Sequence, residues 1–389
     1  MAINSALGGL VSSGALVGVS ALVYQDGREV YFGAFGEADR EAHRPMARNT
    51  VVQIFSMTKP IAGVALMTLY DAGKFGLDEP LAKYLPEFAN MRVYAGIDAK
   101  GEIVYERASR PITIRDITRH TAGLYGGSER TPPGEIYRAA DPTNWTNTLS
   151  QESEKLAALP LAYHPGTRWL YSAAVDLQAR LVERLAGVPF DRYVETTILR
   201  PLGMMDTRYV LREQDRERLA ARYEWHPGGS MTRIPDGIAL AFNGREWPLK
   251  PGSFGLLSTL DDYMKFARML QNGGELDGRR ILKKETVSLM ATDAMPPGVT
   301  DTSWLPTKGR VGFGIDFAVR IRPPADPTES SGAVGEFFWD GAADTLFWVD
   351  PVHRITAVLF TQYEPFGKVP LHKAFRDAVY RNFPDALAK

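Results

Sequence analysis

The clearest pattern in the chain is a pair of β-rich segments, one near each end. Apolar residues run through residues 17–24, and the pair Asp26–Gly27 separates this run from a second β-rich run. Asp-Gly between two such runs is a strong signal for a β-hairpin. Residues 345–362 repeat the pattern around Asp350–Pro351, so both ends of the chain are predicted to supply strands to a sheet. A closing helix follows, and its apolar face carries three residues at helical spacing, Phe375, Ala378 and Val379.

Between the two ends the pattern is mostly helical. Residues 172–187 show it well, because their apolar positions recur at intervals of three and four. Strands from both ends around a helical middle predict an α+β fold with a helical insertion. We expect residues 1–85 and 250–389 to form a discontinuous α/β sheet domain, and residues 86–249 to form a helical lobe.

Local signals place some boundaries within this plan. Ser258 or Thr259, followed by two aspartates, predicts the start of a helix where the chain returns to the sheet domain, and Gly273–Gly274 predicts its end. Residues 131–145 and 226–253 are rich in proline and glycine, so we expect long surface loops there.

Composition excludes several classes of function. Lys and Arg number 45 against 46 Asp and Glu, and no basic run offers a surface for phosphates, so nucleic acid is not an expected partner. The 389 residues include no cysteine, which removes disulfides, thiolate zinc sites and cysteine nucleophiles. Six histidines without an H-E-x-x-H pattern give a metal site little support, and no cofactor is implied.

No segment predicts attachment to a membrane. The chain has no apolar run of the roughly 20 residues that span a bilayer. Its N-terminus is apolar but carries no Lys or Arg before Arg28, so the basic region of a secretory signal is missing. We therefore expect a cytoplasmic protein that acts on a small molecule, while the oligomeric state has no sequence signal.

The stretch FSMTKPIAGVAL, residues 55–66, begins a helix of unusual composition. Proline is tolerated in the first turn of a helix because its missing N–H has no partner there, so Pro60 places the helix start near Ser56. Ser56 then lies at the positive end of the helix dipole, and Lys59 shares its face. A neighbouring amine can activate a hydroxyl as a nucleophile. The alternative is a plain N-cap serine beside a solvated lysine.

Tyr171 is a second candidate, since it lies where a loop enters the predicted helix at residues 172–187. A close lysine ammonium would favour its phenolate and make it a candidate general base. The alternative is an aromatic core residue at a helix start.

Trp339 and Gly341 form the third candidate feature, at the end of a predicted strand beside the C-terminal hairpin. A glycine at that place lets a ligand approach the backbone closely. The backbone N–H of Ala342 can then act with that of Ser56 as a two-donor oxyanion hole. The alternative is a turn glycine beside a core tryptophan.

Taken together in this order, the three features resemble the serine β-lactamase and penicillin-binding protein superfamily. The chain is most similar to class C β-lactamases and to the family VIII carboxylesterases. The first box is Ser56-Met57-Thr58-Lys59, the second begins at Tyr171, and Trp339-Asp340-Gly341 corresponds to the third. Further similar segments cover nearly the whole chain, at residues 117–124, 164–172, 198–207 and 255–282.

The resemblance implies an α+β fold of the β-lactamase/transpeptidase type. Its parts are a five-stranded antiparallel sheet flanked by helices, a mostly helical second lobe, and an active site in the cleft between them. It also implies that Ser56 is the acylated nucleophile and that Lys59 and Tyr171 activate it. The backbone N–H groups of Ser56 and Ala342 would be the oxyanion donors. Spacing does not decide whether Lys59 or Tyr171 takes the proton.

Two departures from the family pattern bear on the substrate. The second box usually ends in Asn, but here Ala173 offers no hydrogen-bonding group for an amide. The third box usually begins with a cation that binds a carboxylate, and Trp339 replaces it with an apolar face. Both changes favour a carboxylesterase for small, short-chain or aromatic esters, with Trp339, Gly341 and Tyr125 as candidate substrate-binding residues.

Other functions stay open at this stage. The same acyl-enzyme could transfer its acyl group to an alcohol or amine, and β-lactam hydrolysis is expected to be weak or absent. A silent scaffold is disfavoured because Ser56, Lys59 and Tyr171 are all present. A Ser-His-Asp triad through His120 is also disfavoured, since the surrounding HTAGL reads as a turn. Tyr125 either lines the cleft or is a surface aromatic.

Overall fold

The fold is a large antiparallel sheet with helices on both faces, as a computed structural model that describes residues 1–127 and 130–383 shows. The α-helices of this part are α1 Ala2–Ser12, α2 Thr58–Asp71, α3 Ile114–Thr118, α4 Pro132–Ala140, α5 Leu149–Ala158, α6 Ala174–Ala186, α7 Phe190–Val194, α8 Asp236–Ala239, α9 Leu260–Gln271, α10 Lys284–Met290 and α11 Leu371–Asn382. The strands are β1 Gly18–Gln25, β2 Arg28–Asp39, β3 Arg44–Pro45, β4 Val52–Gln53, β5 Arg92–Ile97, β6 Ile103–Arg107, β7 Tyr223–Trp225, β8 Met231–Arg233, β9 Leu257–Ser258, β10 Glu275–Leu276, β11 Arg279–Arg280, β12 Val311–Phe313, β13 Ala318–Arg320, β14 Phe337–Asp340, β15 Leu346–Asp350, β16 Ile355–Phe360 and β17 Tyr363–Glu364.

The main sheet joins strands from the two ends of the chain, as the sequence pattern predicts. Its order is β12-β13-β14-β15-β16-β1-β2-β3, and every neighbouring pair is antiparallel. This confirms the fold class, although the sheet has eight strands instead of five. The difference comes from β3, β12 and β13 at the two edges, which are only two or three residues long.

The turn between β1 and β2 shows why the sequence pattern identifies this hairpin. Gln25 pairs with Arg28, which leaves Asp26 and Gly27 as a two-residue turn. Both turn residues have positive φ, 50° and 76°. Two-residue hairpin turns of this kind need positive φ, which Gly adopts without strain and Asp tolerates. The hairpin prediction is confirmed.

Adjacent side chains on β15 show how the sheet is covered on both faces. Phe347 lies 5.0 Å from the ring of Tyr263 in α9, and Trp348 lies 5.3 Å from the ring of Phe375 in α11. Because successive residues of a strand point to opposite faces, α9 and α11 cover opposite sides of the sheet. Helix α1 packs against α11 and β2.

Helix α2 is the central helix of the remaining part of the chain. All its residues from 58 to 67 are buried, and it packs against α6 and α7. A helix that is apolar on all sides is expected in the interior of a large domain. Lys59 is an exception to this apolar pattern, because it places an ionisable side chain within the buried run.

Some local predictions are confirmed and others are wrong. Thr259 is the N-cap of α9, since its side chain accepts a hydrogen bond from the N–H of Asp262. Residues 131–145 are not one long loop, because they contain α4, whose first turn is capped by Thr131. The sequence pattern also gave no sign of α1. The division into a sheet domain and a helical lobe stays a prediction; residues 86–249 contain the β5-β6 hairpin as well as helices.

Within residues 1–127 and 130–383, every helix is too short or too polar to cross a membrane. The predicted compartment stays a prediction.

We expect Trp348→Ala to lower the free energy of unfolding by about 3–5 kcal/mol, because it removes a fully buried ring and leaves a cavity between β15 and α11. Chemical denaturation measures this change. The control Val352→Ala, in an exposed turn where Val352 is 53 % accessible, should change stability by less than about 0.5 kcal/mol. Equal effects of the two substitutions would contradict this account of the packing.

Candidate active site

Ser56 lies at the start of the buried helix, where the sequence places it. It belongs to a 3-10 turn, Phe55–Met57, that runs directly into α2. Pro60 falls in the first turn of α2, which a proline tolerates. Phe55 has φ of 45°, a left-handed conformation that is rare for a residue with a large side chain. The side chain after this strained residue, that of Ser56, stays partly exposed.

The side chains of Lys59 and Ser56 meet, as their three-residue spacing predicts. Nζ of Lys59 lies 3.1 Å from Oγ of Ser56. It also donates a 2.7 Å hydrogen bond to the carbonyl oxygen of Ser253. Lys59 is only 4 % exposed, so the alternative of a solvated lysine is wrong.

Burial changes the acid-base behaviour of this lysine. The loss of hydration lowers the pKa of the Lys59 ammonium to about 8. The carboxylates of Asp176, Asp316 and Asp340 act in the opposite direction and favour the charged form. An amine with a pKa near 8 is deprotonated in a useful fraction of molecules at neutral pH, so it can accept a proton from Ser56.

Tyr171 joins the same group from a distant part of the chain. Nζ of Lys59 lies 4.4 Å from the centroid of its ring, and the indole N–H of Trp339 donates to its Oη at 3.3 Å. Burial raises the pKa of Tyr171 above its usual value, and the interactions with Ser56 and Trp339 only partly oppose this. The hydroxyl, the amine and the phenol therefore converge, and the phenol keeps its proton at neutral pH.

Aromatic rings surround the phenol of Tyr171. Their centroids lie between 4.7 and 5.9 Å from that of Tyr171 and belong to His120, Trp304, Trp339 and Trp169. Such packing fixes a ring by contact on several sides at once. Trp339 has no exposed surface, so what the structure shows is a support for Tyr171; direct contact between its indole and a substrate stays a prediction.

The third box lies against the nucleophile turn. Gly341 follows β14 directly, and a Cβ at this position would stand 2.5 Å from the carbonyl oxygen of Ile54. Only glycine allows so close an approach of two backbones. Ala342 comes next and is exposed, and its neighbour Gly341 is the residue that lies against the turn holding Ser56. Its part in an oxyanion hole stays a prediction.

Comparison with known proteins agrees with this arrangement. A family model described as Beta-lactamase matches residues 3–380. The chain belongs to the beta-lactamase family. Esterase EstB of Burkholderia gladioli is 30% identical over 389 residues, covering 94% of this chain and 91% of that protein. Protein Rv1367c of Mycobacterium tuberculosis (strain ATCC 25618 / H37Rv) is 33% identical over 368 residues, covering 91% and 87%.

Solved structures of the beta-lactamase family show the same fold. EstCE1, described as a hydrolase with promiscuous acyltransferase activity, superposes with a TM-score of 0.80 at 26% identity and covers 97% of each chain. Together with the esterase relative, this makes the chain a serine hydrolase of the beta-lactamase family.

His120 does not form a Ser-His-Asp triad with Ser56. Its ring is fully enclosed, and no atom of residues 1–127 or 130–383 makes a hydrogen bond to Nδ1 or Nε2. Burial and the charge of Lys59 lower the pKa of His120 well below its usual value. A triad histidine must bond both to the nucleophile and to a carboxylate, so His120 serves as a packing residue behind Tyr171.

Tyr125 is 3 % exposed and belongs to the hydrophobic core, so the surface-aromatic alternative is wrong. Whether it contacts substrate stays a prediction.

Lys308 is a residue of the site that the sequence interpretation missed. The Thr307-Lys308-Gly309 stretch echoes the third box but lies in a 3-10 turn, not in a strand. Its ammonium nevertheless forms an ion pair with Asp340 and lies 5.5 Å from the ring centroid of Trp339. A cavity of about 550 Å³ lies behind this ion pair, lined by Lys308 and Asp340 but not by Ser56. No local signal links residues 32 positions apart.

We expect Gly341→Ala to reduce kcat for any substrate at least about tenfold, because the added methyl group pushes the third-box turn away from Ile54 and displaces a candidate oxyanion donor. Steady-state kinetics together with a melting temperature measures this. Gly237→Ala is a matched control, since a Cβ there meets no atom within 4 Å. Unchanged kcat in Gly341→Ala would show that this approach is not needed for catalysis.

Proposed function

We propose that this protein is a carboxylesterase of the family VIII type that hydrolyses small, neutral esters through an acyl-enzyme on Ser56. The observation that carries the proposal is the 3.1 Å contact between the buried Lys59 amine and the Ser56 hydroxyl, with Tyr171 beside both. The esterase relative EstB supports the ester-cleaving chemistry.

In the acylation step, Oγ of Ser56 attacks the ester carbonyl carbon while its proton passes to Nζ of Lys59. The neutral amine is suited to this, because its N–H groups can donate to Ser253 while its lone pair faces Ser56. Lys59 is the better base of the two candidates. Its pKa of about 8 leaves a fraction of the amine unprotonated at neutral pH, whereas burial raises the pKa of Tyr171 and makes its phenolate scarce.

The negative charge that forms on the carbonyl oxygen needs donors that are already in place. The backbone N–H groups of Ser56 and Ala342 are the proposed donors, and the contact between Gly341 and Ile54 supports this because it holds the two turns together. The protonated phenol of Tyr171 then gives its proton to the departing alkoxide and regains one from the Lys59 ammonium.

The acyl-enzyme is resolved by the reverse sequence of proton transfers. A water molecule attacks the acyl carbon and gives a proton to the base of the site. The bond to Oγ of Ser56 breaks, the base returns its proton to Oγ, and the carboxylic acid product leaves and releases its own proton to solvent. Because the same groups act in both halves, a single Lys59-Tyr171 pair suffices for the whole cycle.

The substrate class follows from the charges around the third box. Trp339 occupies the position of the usual cation in the third box, and Lys308, whose ammonium lies 5.5 Å from the Trp339 ring centroid, is 5 % exposed in its side chain and paired with Asp340. Its ammonium is therefore already paired with a carboxylate of the protein and is not available to a substrate carboxylate. Ala173 likewise offers no group for an amide. These features favour uncharged acyl groups without an acylamide.

We expect Ser56→Ala to reduce the turnover of a short-chain nitrophenyl ester by about 10³-fold or more, because the variant cannot form an acyl-enzyme. Initial rates and labelling by a fluorophosphonate probe measure this. Ser230→Ala, at an exposed serine, is the matched control and should keep wild-type turnover. Wild-type turnover by Ser56→Ala would remove the nucleophile assignment.

Acyl transfer is the second candidate function, favoured by the promiscuous acyltransferase activity in the description of EstCE1. With added primary alcohols, we expect part of the acyl group to appear as a new ester, because an alcohol competes with water for the same acyl-enzyme. Chromatography of the products gives the partition ratio. A ratio that stays at zero as the alcohol concentration rises would exclude transfer. For β-lactam hydrolysis, a separate activity, we expect only weak turnover of nitrocefin.

A further inference from the structure

A buried carboxylate anchors the residue that holds Lys59. Both side-chain oxygens of Asp176 accept hydrogen bonds from Ser253, one from its N–H and one from its hydroxyl, each at 2.8 Å. The carbonyl oxygen of Ser253 in turn accepts the 2.7 Å hydrogen bond from Lys59. Asp176 is 2 % exposed, so solvent does not share these contacts. The orientation of the Lys59 amine therefore depends on Asp176 through one intervening residue.

The chain places Asp176 at a position that suits a negative charge. It lies in the first turn of α6, the helix that begins just after Tyr171. The N-terminal turn of a helix stabilises an anion through its unpaired N–H groups and its dipole. One short segment therefore supplies both the catalytic phenol candidate and the anchoring carboxylate.

A second carboxyl group faces this anchor and shares a hydrogen bond with it. Glu152 lies on α5, which packs against α6, and it is 1 % exposed. It is close enough to Asp176 for the two carboxyls to influence each other. This carboxyl–carboxyl hydrogen bond requires a proton on one of the two acids, and apart from it no atom of residues 1–127 and 130–383 makes a hydrogen bond with either oxygen of Glu152.

Two negative charges cannot share such a place at low cost. An ionised carboxylate without hydrogen bonds in a buried position loses its hydration and gains nothing in return. Burial raises the pKa of Glu152 well above its usual value, and the neighbouring Asp176 raises it further. Burial also raises the pKa of Asp176, but its hydrogen bonds from Ser253 and the charge of Lys59 favour its ionised form.

We propose that Asp176 and Glu152 form a carboxyl pair with a single negative charge that positions Lys59 and sets its protonation. The charge resides on Asp176, which fixes Ser253 and stabilises the Lys59 ammonium, while Glu152 keeps its proton. Both are positioning residues, since neither touches the reacting atoms. The inference rests on the proposed function for the catalytic role of Lys59. The hydrogen bonds that join Asp176 to Lys59 through Ser253 do not depend on that function.

Other charged groups also face the lysine. Besides Asp176, the groups that interact with Lys59 are Asp316, Asp340, His120 and Tyr171. The groups that interact with Asp176 are Glu152 and Tyr209. Asp316 accepts a hydrogen bond from Gln178, and Asp340 is paired with Lys308. Of these three carboxyls, only Asp176 is linked to Lys59 by hydrogen bonds that pass through one residue, Ser253. We therefore assign the control of Lys59 protonation to Asp176.

The test is the pH dependence of inactivation by a fluorophosphonate, measured for the wild type, Asp176→Asn and Glu152→Gln. In the wild type we expect the rate to rise with pH through a midpoint near 8, as Lys59 loses its proton. Asp176→Asn removes the charge but keeps hydrogen-bonding atoms, so the midpoint should fall by about one pH unit. Glu152→Gln replaces a neutral acid with a neutral amide, so its midpoint should stay at the wild-type value.

Each result decides a different point. An unmoved midpoint in Asp176→Asn, even with a lower rate, would reduce Asp176 to a structural role and overturn the proposal. A downward shift in Glu152→Gln would show that Glu152 carries a charge, and would overturn it as well. This second variant keeps the test decisive if Asp176→Asn does not fold, which circular dichroism shows. A wild type that does not react at all would instead refute the proposed function.

Discussion

The site depends on one energetic conflict, an amine placed where its charged form is poorly solvated. Lys59 lies within a helix whose neighbouring residues are buried, and burial brings its pKa down to about 8. A lysine on the protein surface would stay charged at that pH and could not take a proton from a hydroxyl. Burial in an apolar helix is therefore what makes the amine reactive, and the rest of the fold holds it there.

The aromatic residues solve a related problem for Tyr171. A phenol that must deliver a proton has to stay protonated and keep its direction through both halves of the reaction. Contacts with the rings of Trp304 and Trp339 restrict it, and the Trp339 N–H fixes its oxygen. The tryptophan in the third box therefore supports Tyr171, and under the proposed function it also influences substrate preference.

The fold and the centre of the site could be predicted because their signals are local. Asp26–Gly27 makes its own turn, and Ser56 and Lys59 are brought together by one helical turn. The pairing of Lys308 with Asp340 could not be predicted in this way, since it depends on where two separate loops meet. Likewise, nothing in the local pattern of α5 shows that Glu152 faces Asp176.

The wrong predictions have physical causes as well. Proline and glycine near residue 131 suggested a loop, but proline in a first turn is also how helices begin, and α4 begins that way. Helix α1 lacks acidic residues in its first turn and a side-chain cap, so only its packing against α11 and β2 accounts for its presence. In α1 tertiary contacts outweigh a weak local preference, whereas in α4 the local signal was assigned to the wrong element.

The contact between Gly341 and the carbonyl of Ile54 limits how this enzyme can change over evolution or in the laboratory. It holds the third-box turn against the turn that carries Ser56, so substitutions that force these two turns apart would separate groups that the proposed reaction needs together. Engineering libraries would therefore gain most by sparing Gly341, and also Ser253, whose carbonyl oxygen holds the Lys59 amine.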